Sequence, residues 1–352
     1  MSRFFSKKYS SLVPYTPGEQ PKNMDYIKLN TNESPYPPSK MVQEGVYAEA
    51  NKLQLYSDPE CKMLHEELAS HFHVSPREVL ATNGSDEILN FAFMAFCDKD
   101  NPIVFPDITY GFYPVFAEIN GVPYEKIPLK DDFSIDINDY IGINKNIVIA
   151  NPNAPTGMYI QLCDIEKIVR SNPDNVVIID EAYIDFGGES AIPLTKKYKN
   201  LIVTRTFSKS YSLAGARLGF GVANEELIND MNTIKYSTNP YNVNRMTQAA
   251  GRYAIVDNDY YMENCKKIME VREYTAKALT DLGFTVLPSK ANFIFAKCDK
   301  IDGEALYLEL KKRGILIRHF TSERIKDYNR ITIGTKQQMD ALIKEIKEIL
   351  EA

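Results

Sequence analysis

The stretch that decides the fold is Val176-Val-Ile-Ile-Asp180-Glu181-Ala182-Tyr183. It opens with an apolar run, which is typical of a strand buried on both faces, and it ends in a carboxylate and a phenol. The stretch Asn200-Leu-Ile-Val-Thr204 has a similar apolar character. An acidic residue at the carboxyl end of a parallel strand points into the crevice where α/β sheets bind ligands. We therefore expect Asp180 to lie in a binding site.

Short apolar strands alternate with helical stretches around these two runs. The predicted helices are 61–72, 85–96, 111–119 and 164–171, and the predicted strands are 79–82, 102–105, 146–150, 175–180, 200–204 and 218–222. This alternation predicts an α/β fold with three layers, in which helices cover both faces of a mostly parallel sheet.

The C-terminal part has a different pattern. After Val243 the sequence is helical through Leu282, with a break near 257–259. Strands at 284–287, 292–296, 315–318 and 330–333 and helices at 303–313 and 336–350 then predict a smaller α+β unit. Because single cores stop growing at roughly 250–300 residues, we expect two domains. The predicted division is a proline-rich N-terminal arm at 1–35, a large domain at 36–257 and a small domain at 258–352.

The composition excludes several classes of partner. A net charge of −6 without a basic stripe argues against nucleic acid. No segment offers the ~20 apolar residues of a membrane helix, and no signal peptide is recognisable. The five scattered cysteines lack a Cys-x-x-Cys pair, which indicates reduced thiols. His65, His71 and His73 lack the ligand spacing of a metal site. We expect a cytoplasmic protein without a metal.

The loop after the second apolar strand concentrates reactive side chains. It reads Thr206-Phe-Ser208-Lys209-Ser-Tyr, and Arg217 follows eight residues after the lysine. A lysine amine can form a Schiff base with a carbonyl. Hydroxyl groups and a planar guanidinium hold phosphate oxygens through charge-assisted hydrogen bonds. A lone Ser-x-Lys would be a solvated loop lysine, but this set of groups suits a phosphorylated aldehyde.

The two segments together resemble the pyridoxal-phosphate (PLP) aminotransferases of fold type I. The resemblance implies that Lys209 carries PLP and that Asp180 pairs with the pyridine nitrogen of the cofactor. It also implies a cofactor-binding set that includes Tyr183, which acts on the phenolic oxygen of PLP. The other implied cofactor residues are Ser85, Asp86, Tyr110, Thr206, Ser208 and Arg217. The matching tyrosine, Tyr56, would reach the phosphate in the neighbouring subunit, which implies a homodimer with a shared active site.

One segment departs from the family pattern. In Asn151-Pro-Asn153-Ala154-Pro-Thr-Gly157, the alanine stands where the family usually has an asparagine that bonds the phenolic oxygen of the cofactor. The replacement must come from another residue. Asn153 is the first candidate and Tyr183 is the second.

Two arginines near the C-terminus are the candidate substrate ligands. Arg330 opens the Arg-Ile-Thr-Ile-Gly segment, in which the family binds the anionic end of its substrate, and Arg318 ends the preceding strand. Two converging arginines favour a doubly charged group such as phosphate. Segments around Tyr15 and Asn32 are similar to those of the histidinol-phosphate aminotransferase branch, and the resemblance makes both residues candidate substrate ligands.

The resemblance to this branch implies transfer of an amino group between L-histidinol phosphate and 2-oxoglutarate in histidine biosynthesis. A threonine-phosphate decarboxylase or a broad aromatic aminotransferase would present the same motifs, because no motif reports which bond of the substrate breaks. A regulatory module that binds PLP without catalysis is a further alternative. Such regulators carry an additional DNA-binding domain, for which the sequence has no room before the arm.

Overall fold

A seven-stranded sheet between residues 79 and 223 forms the centre of the protein. The computed structural model describes residues 2–10, 12–21 and 24–351. The strands are β1 (Ile27–Lys28), β2 (Val79–Thr82), β3 (Ile103–Pro106), β4 (Tyr124–Ile127), β5 (Asn146–Ala150), β6 (Val177–Asp180), β7 (Leu201–Thr206), β8 (Gly219–Ala223), β9 (Phe284–Val286), β10 (Phe293–Cys298), β11 (Ile315–Leu316), β12 (Arg318–His319) and β13 (Asn329–Thr332).

The helices cover this sheet and a smaller one. They are α1 (Lys40–Ala50), α2 (Lys62–Phe72), α3 (Ser85–Phe96), α4 (Phe112–Asn120), α5 (Leu162–Ser171), α6 (Glu225–Thr238), α7 (Arg245–Val256), α8 (Asn258–Asp281), α9 (Gly303–Lys312) and α10 (Lys336–Glu351). Within the described ranges, no helix has the length and apolar composition needed to cross a membrane.

The central sheet has the strand order β2-β8-β7-β6-β5-β3-β4. Strand β8 is antiparallel to both of its neighbours, and the pairs from β7 to β4 are parallel. The predicted α/β class with a mostly parallel sheet is therefore confirmed. The carboxyl ends of β5, β6 and β7 lie side by side, so the residues that follow these strands meet at one edge.

Both faces of the sheet are buried. Along β5, Ile147 and Ile149 belong to one apolar core, whereas Val148 belongs to a second core on the opposite face. Residues of α2, α5 and α7 complete the first core, and residues of α3, α4 and α6 complete the second. This two-sided burial explains why β5 to β7 are continuous apolar runs, which made them recognisable in the sequence.

The elements that escaped prediction include α1, β4 and α6, whose sequences carry a weak apolar pattern. Helix α1 buries only Val42 and Gly45. Strand β4 (Tyr-Glu-Lys-Ile) lies at the edge of the sheet, where its Glu125 and Lys126 are exposed. Helix α6 contains many charged and amide side chains, and its apolar positions are few. In each case, packing against the core of the protein stabilises the element. Its own sequence shows only a weak apolar periodicity, which is why it was not predicted.

The C-terminal part is built on a four-stranded antiparallel sheet with the order β12-β13-β10-β9. Helices α8, α9 and α10 contribute to the core beneath it. Helix α8 connects the cores, since Tyr261 packs in the first and Ile268 packs in that of the C-terminal sheet. Strand β1 pairs in parallel with β11, which attaches the N-terminal arm to this part. The division into domains at 35 and 257 stays a prediction.

Candidate active site

Lys209 lies at the carboxyl edge of the central sheet, in the turn that follows β7. Its Nζ atom donates to the Thr31 carbonyl oxygen at 3.2 Å and lies 5.8 Å from the centre of the Tyr183 ring. The amine opens into a cavity of about 280 Å³. Residues lining this cavity include Thr31, Glu33, Ser85, Asp86, Tyr110, Ala154, Asp180, Tyr183, Thr206, Ser208, Lys209 and Arg217. The fold thus brings most of the predicted cofactor residues together.

Asp180 ends β6 and is almost completely buried in the wall of the same cavity. Its Oδ2 atom accepts a hydrogen bond from the Tyr113 hydroxyl at 2.9 Å, and its Oδ1 atom accepts one from Thr204 Oγ1 at 3.2 Å. Burial raises the pKa of this carboxyl to about 6, although both hydroxyl donors lower it. A buried acid whose side-chain donors are neutral is suited to a cationic group in the cavity.

The opposite end of the cavity is a cradle for an anion. Helix α3 begins at Ser85, after Gly84 with a φ of 78°, so its first N–H groups face the cavity. A Cβ atom on Gly84 would lie 2.5 Å from the Arg217 guanidinium, and one on Gly219 would lie 2.3 Å from the Ser85 nitrogen. Only glycine allows the arginine and the helix start to approach this closely.

Asp86 connects the cradle with the aromatic wall. Its carboxylate accepts a hydrogen bond from the Tyr110 hydroxyl at 2.7 Å and forms an ion pair with Arg217 at 3.1 Å. These contacts fix the Tyr110 ring at the cavity and hold the guanidinium over the start of α3. The carboxylate of Asp86 therefore positions Tyr110 and Arg217, and its backbone N–H is part of the first turn of α3.

A second cavity of about 440 Å³ adjoins the first and shares Thr31, Tyr110, Ala154, Tyr183 and Lys209 with it. Arg330 reaches it from β13. Its guanidinium donates to the Asn30 carbonyl oxygen at 2.9 Å, and its buried Nε atom has no hydrogen-bond partner within the described residues. Desolvation lowers the pKa of Arg330, although the group remains a cation. The positive charge that this guanidinium brings to the cavity wall suits an anionic ligand.

Arg318 and Tyr15 line the same cavity from the small sheet and from the arm. The Arg318 guanidinium donates to the carbonyl oxygens of Thr16 and Pro17 at 3.3 Å each. The Tyr15 ring packs against Phe112 with 4.3 Å between ring centres. The arm therefore forms a wall of the cavity, and the two predicted arginines converge on it.

The contacts of Asn153 do not support its predicted role as the replacement for the missing asparagine. Its Nδ2 atom donates to the Ile108 carbonyl oxygen at 3.0 Å and to Thr156 Oγ1 at 3.1 Å, and Asn153 is absent from the residues lining either cavity. The amide thus joins its own loop to the segment that follows β3. Tyr183 does line both cavities, and its hydroxyl accepts a hydrogen bond from Asn32 Nδ2 at 2.9 Å.

Tyr56 lies outside the cavities of its own subunit. Its side chain is 80 % exposed and stacks on Tyr241 with 4.6 Å between ring centres. Arg245 donates to the Tyr56 carbonyl oxygen at 2.9 Å, which fixes the backbone beneath this pair. A contact of Tyr56 with a cofactor thus requires a second copy of the chain.

Sequence reasoning missed several site residues. Tyr113 and Thr204 contact Asp180, and Thr31 contacts Lys209 through its backbone carbonyl. The nearest signal was for Tyr113, which stands three positions after Tyr110 and inside the predicted helix 111–119. The Thr31 contact joins positions 178 residues apart and leaves no local pattern.

Arg324 was also missed. It extends from the loop after β12 to the large sheet, where it donates to Asp107 Oδ2 at 2.8 Å and to the carbonyl oxygens of Leu129 and Lys130 at 3.0 Å each. Asp107 lines the second cavity. This bridge holds the cavity walls of the two sheets together.

The three neighbouring histidines have separate environments. His65 Nε2 accepts the Ala81 N–H at 3.0 Å, and burial lowers the pKa of this imidazole to about 4. His71 and His73 are exposed near the end of α2. Across residues 2–10, 12–21 and 24–351, no group of three or more acidic, histidine or cysteine side chains is arranged to hold a metal ion.

Comparison with known proteins gives the family. The family model for aminotransferase class I and II matches residues 24–346. The chain belongs to this aminotransferase family. The chain is also 51 % identical to the histidinol-phosphate aminotransferase of Brachyspira hyodysenteriae, over 100 % of both chains. It is 47 % identical to the enzyme of the same name from Clostridium acetobutylicum, over 99 % of this chain and 100 % of the relative.

A solved aminotransferase structure agrees with the fold and with the cofactor. The histidinol-phosphate aminotransferase of Sinorhizobium meliloti in complex with pyridoxal-5'-phosphate has a TM-score of 0.91 and 25 % identity, and the match covers 100 % of this chain and 98 % of that chain. Aminotransferases of class I and II depend on PLP. The residues of the first cavity fit this cofactor, because the glycine-lined cradle suits its phosphate, buried Asp180 suits a protonated ring nitrogen and Lys209 suits its aldehyde.

Proposed function

We propose that the chain is a histidinol-phosphate aminotransferase. It transfers the amino group between L-histidinol phosphate and 2-oxoglutarate, with imidazole acetol phosphate and L-glutamate as products, in histidine biosynthesis. The observation that carries this proposal is that Arg318 and Arg330 line the cavity into which Lys209 also opens. Two guanidinium groups suit the phosphate of the amino substrate and a carboxylate of the oxo acid. The names of full-length relatives at 47–51 % identity support the same substrates.

The proposed catalytic residues are Lys209, Asp180 and Tyr183. Bound PLP supplies the aldehyde that takes up the amino group and a ring that withdraws electrons from the substrate Cα. The Lys209 amine would take the proton from the substrate Cα as general base and, as general acid, would deliver it to C4′ of the bound cofactor. Asp180 provides the negative charge that keeps the ring nitrogen protonated. The Tyr183 hydroxyl, held by Asn32, provides a polar partner for the phenolic oxygen.

The remaining cofactor residues position PLP. The proposed phosphate ligands are Ser85, Asp86 through its backbone, Thr206, Ser208 and Arg217, together with Tyr56 of the partner subunit. The Tyr110 ring, fixed by its bond to Asp86, packs against the pyridine ring. The substrate ligands are Arg318, Arg330, Tyr15 and Asn32. The arm supports this set, because the backbone that carries Tyr15 also holds the Arg318 guanidinium.

The proposal includes a homodimer and a cytoplasmic location. Large apolar side chains are exposed in the same stretch of sequence as Tyr56, among them Tyr47 (75 %), Leu53 (59 %), Leu55 (57 %) and Met63 (55 %). Exposed apolar surface of this extent supports a protein contact there. The cysteines Cys61, Cys97, Cys163, Cys265 and Cys298 are free thiols, which supports a reducing compartment.

Mixing two defective variants tests the shared site. We expect Lys209→Ala and Tyr56→Ala each to lose activity when purified alone. After joint unfolding and refolding, a mixed dimer contains one site with both residues intact. The mixture should then recover about one quarter of wild-type activity, because half of randomly paired dimers carry one intact site of two. No recovery in a mixture that sediments as dimers would show that each subunit is self-contained.

A turnover assay tests the proposed substrates. The purified holoenzyme should consume histidinol phosphate only when 2-oxoglutarate is present. Release of CO2 from threonine phosphate at a higher rate would instead identify a decarboxylase.

A broad aromatic aminotransferase would tolerate Arg318→Ala, whereas an enzyme that depends on the substrate phosphate should lose most of its kcat/KM for histidinol phosphate. A regulatory module would show none of these activities.

Arg330→Lys separates charge from geometry. The lysine keeps the positive charge but lacks the planar fork, so the anionic end of the substrate loses a paired hydrogen bond. Hydrogen bonds to charged groups contribute about 1.5–3 kcal/mol, and we expect KM to rise about 10- to 100-fold. Arg313→Lys is the matched control, since Arg313 pairs with Glu345 and Glu348 on the surface. An unchanged KM in Arg330→Lys would remove this residue from the substrate site.

A further inference from the structure

Tyr113 occupies a position behind the active site that neither substrate nor cofactor can reach. Its side chain is completely buried on α4, and it is absent from the residues lining both cavities. Its ring contacts Phe105 at 5.8 Å and Tyr110 at 5.6 Å between ring centres. Its hydroxyl group donates to Asp180 Oδ2 at 2.9 Å. The tyrosine therefore acts on the reaction only through Asp180.

Asp180 is held from two elements. Tyr113 donates from α4, and Thr204 donates to the other carboxylate oxygen from β7. The backbone N–H of Ala182 also acts on this carboxylate, and Asp180 still lines the first cavity. The two hydroxyl donors hold one carboxylate oxygen each. The shorter of the two bonds is the one from Tyr113, and a phenol is a more acidic donor than an aliphatic hydroxyl.

We propose that Tyr113 is a positioning residue of the aminotransferase reaction, whose hydroxyl group keeps the Asp180 carboxylate charged and turned toward the cavity. The inference rests on the proposed pairing of Asp180 with the PLP ring nitrogen, and it is independent of which amino substrate the enzyme uses. A hydrogen bond from a neutral donor to a charged acceptor favours the charged form. The Tyr113 side chain is completely buried, so water does not take the place of its hydroxyl group. Removal of the hydroxyl therefore leaves Asp180 without this hydrogen bond.

The surroundings of Asp180 set the direction of the pH effect. The ionisable groups that face it are Asp86 at the start of α3, Tyr110 and Tyr113 on the segment that enters α4, Tyr183 after β6, and the cations Lys209 and Arg217 across the cavity. Burial and the Asp86 charge raise the pKa of Asp180, and the Tyr113 bond lowers it. Loss of that bond raises the pKa further, so the carboxylate becomes neutral at a higher pH.

Tyr113→Phe tests the inference, since phenylalanine keeps the ring and its contacts. The readout is the dissociation constant of PLP, measured from pH 5 to 9 on protein freed of cofactor. We expect about 10-fold weaker PLP binding at neutral pH, which is the usual scale for a hydrogen bond to a charged group. We also expect the loss of PLP affinity on acidification to begin at a higher pH than in the wild type. The absorbance of the holoenzyme provides a second titration on the same samples.

Tyr124→Phe is the matched control. Tyr124 also donates to a carboxylate, Glu118, and its ring also stacks on Phe105, but it lies on the edge strand away from the cavities. This variant should bind PLP like the wild type at every pH. In the Asp180→Asn background, Tyr113→Phe should cause no further loss of PLP affinity, because the group through which it acts is gone.

The proposal is overturned by either of two results. One is a Tyr113→Phe protein with wild-type melting temperature, PLP affinity and pH dependence. The other is a loss of PLP affinity that is equally large in the Asp180→Asn background, which would mean that the hydroxyl acts through general packing. Failure of the wild type to use histidinol phosphate would refute the proposed substrate and leave these PLP measurements interpretable.

Discussion

Lys209→Ala should abolish covalent attachment of PLP and reduce turnover by roughly 10⁴-fold, the upper range for loss of a general acid–base group. In the proposed mechanism this amine both anchors the cofactor and moves the proton at the substrate Cα, and no second lysine lines either cavity in the described part of the chain. The cradle formed by α3 and Arg217 stays intact, so PLP should still bind without a covalent bond. The visible absorbance band of the lysine-bound cofactor should therefore disappear, while dialysis still detects bound PLP.

Lys199→Ala is the control for this experiment. Lys199 precedes the same strand, β7, at its opposite end, and its exposed side chain forms only a 3.7 Å ion pair with Glu226. Its replacement removes the same charge and the same number of atoms far from the cavity. We expect a wild-type spectrum and wild-type turnover for this variant. Full activity of Lys209→Ala would end the assignment of the cavity as a PLP site.

Asp180→Asn should weaken PLP binding and slow turnover, each by roughly 10²- to 10³-fold. The substitution keeps the size of the side chain and removes the charge that the protonated ring nitrogen requires. Removing one partner of a buried charge pair costs about 3–5 kcal/mol. The asparagine side chain has one acceptor oxygen, whereas the carboxylate has two. It can therefore accept from Tyr113 or from Thr204, and the other hydrogen bond is lost. Equilibrium dialysis of PLP and steady-state kinetics measure the two effects separately.

Asp174→Asn is the control for this experiment, at the other end of the same strand. Asp174 is exposed just before β6, at the edge of the sheet opposite to Asp180. Its replacement changes the net charge by the same amount without touching either cavity. Wild-type PLP affinity is expected for this protein. If Asp180→Asn also retained wild-type affinity and turnover, the buried acid would have no part in binding the cofactor.

The sequence was informative where a residue's role depends on its place along one strand. Asp180 ends β6 and Lys209 follows β7, and both strands are buried. Their apolar runs made these strands recognisable in the sequence. The position of a residue at the end of a parallel strand then determines the edge of the sheet at which it lies. The two arginines of the second cavity were singled out through their motifs, since nothing local distinguishes Arg330 from a surface charge.

The residues that escaped prediction act through contacts across the fold. The bond between Tyr113 and Asp180 joins a helix to a strand 67 positions away, and sequence spacing cannot report it. Asn153 is the opposite case, because the structure occupies both amide hydrogens with Ile108 and Thr156, which the motif alone cannot report. Polar elements such as α1 and β4 were missed because tertiary packing, rather than a local pattern, stabilises them.

The pairing of the N-terminal arm with the C-terminal sheet has a consequence for folding. Arg330 bonds the Asn30 backbone, and Thr332 Oγ1 accepts from the Asn32 N–H, each across 300 positions of the chain. Closing so long a loop costs more chain entropy than closing the short loops within the central sheet. On the ribosome, the arm also waits for the whole intervening chain to be synthesised. We therefore expect the arm, and with it the wall that it forms in both cavities, to assemble after the central sheet.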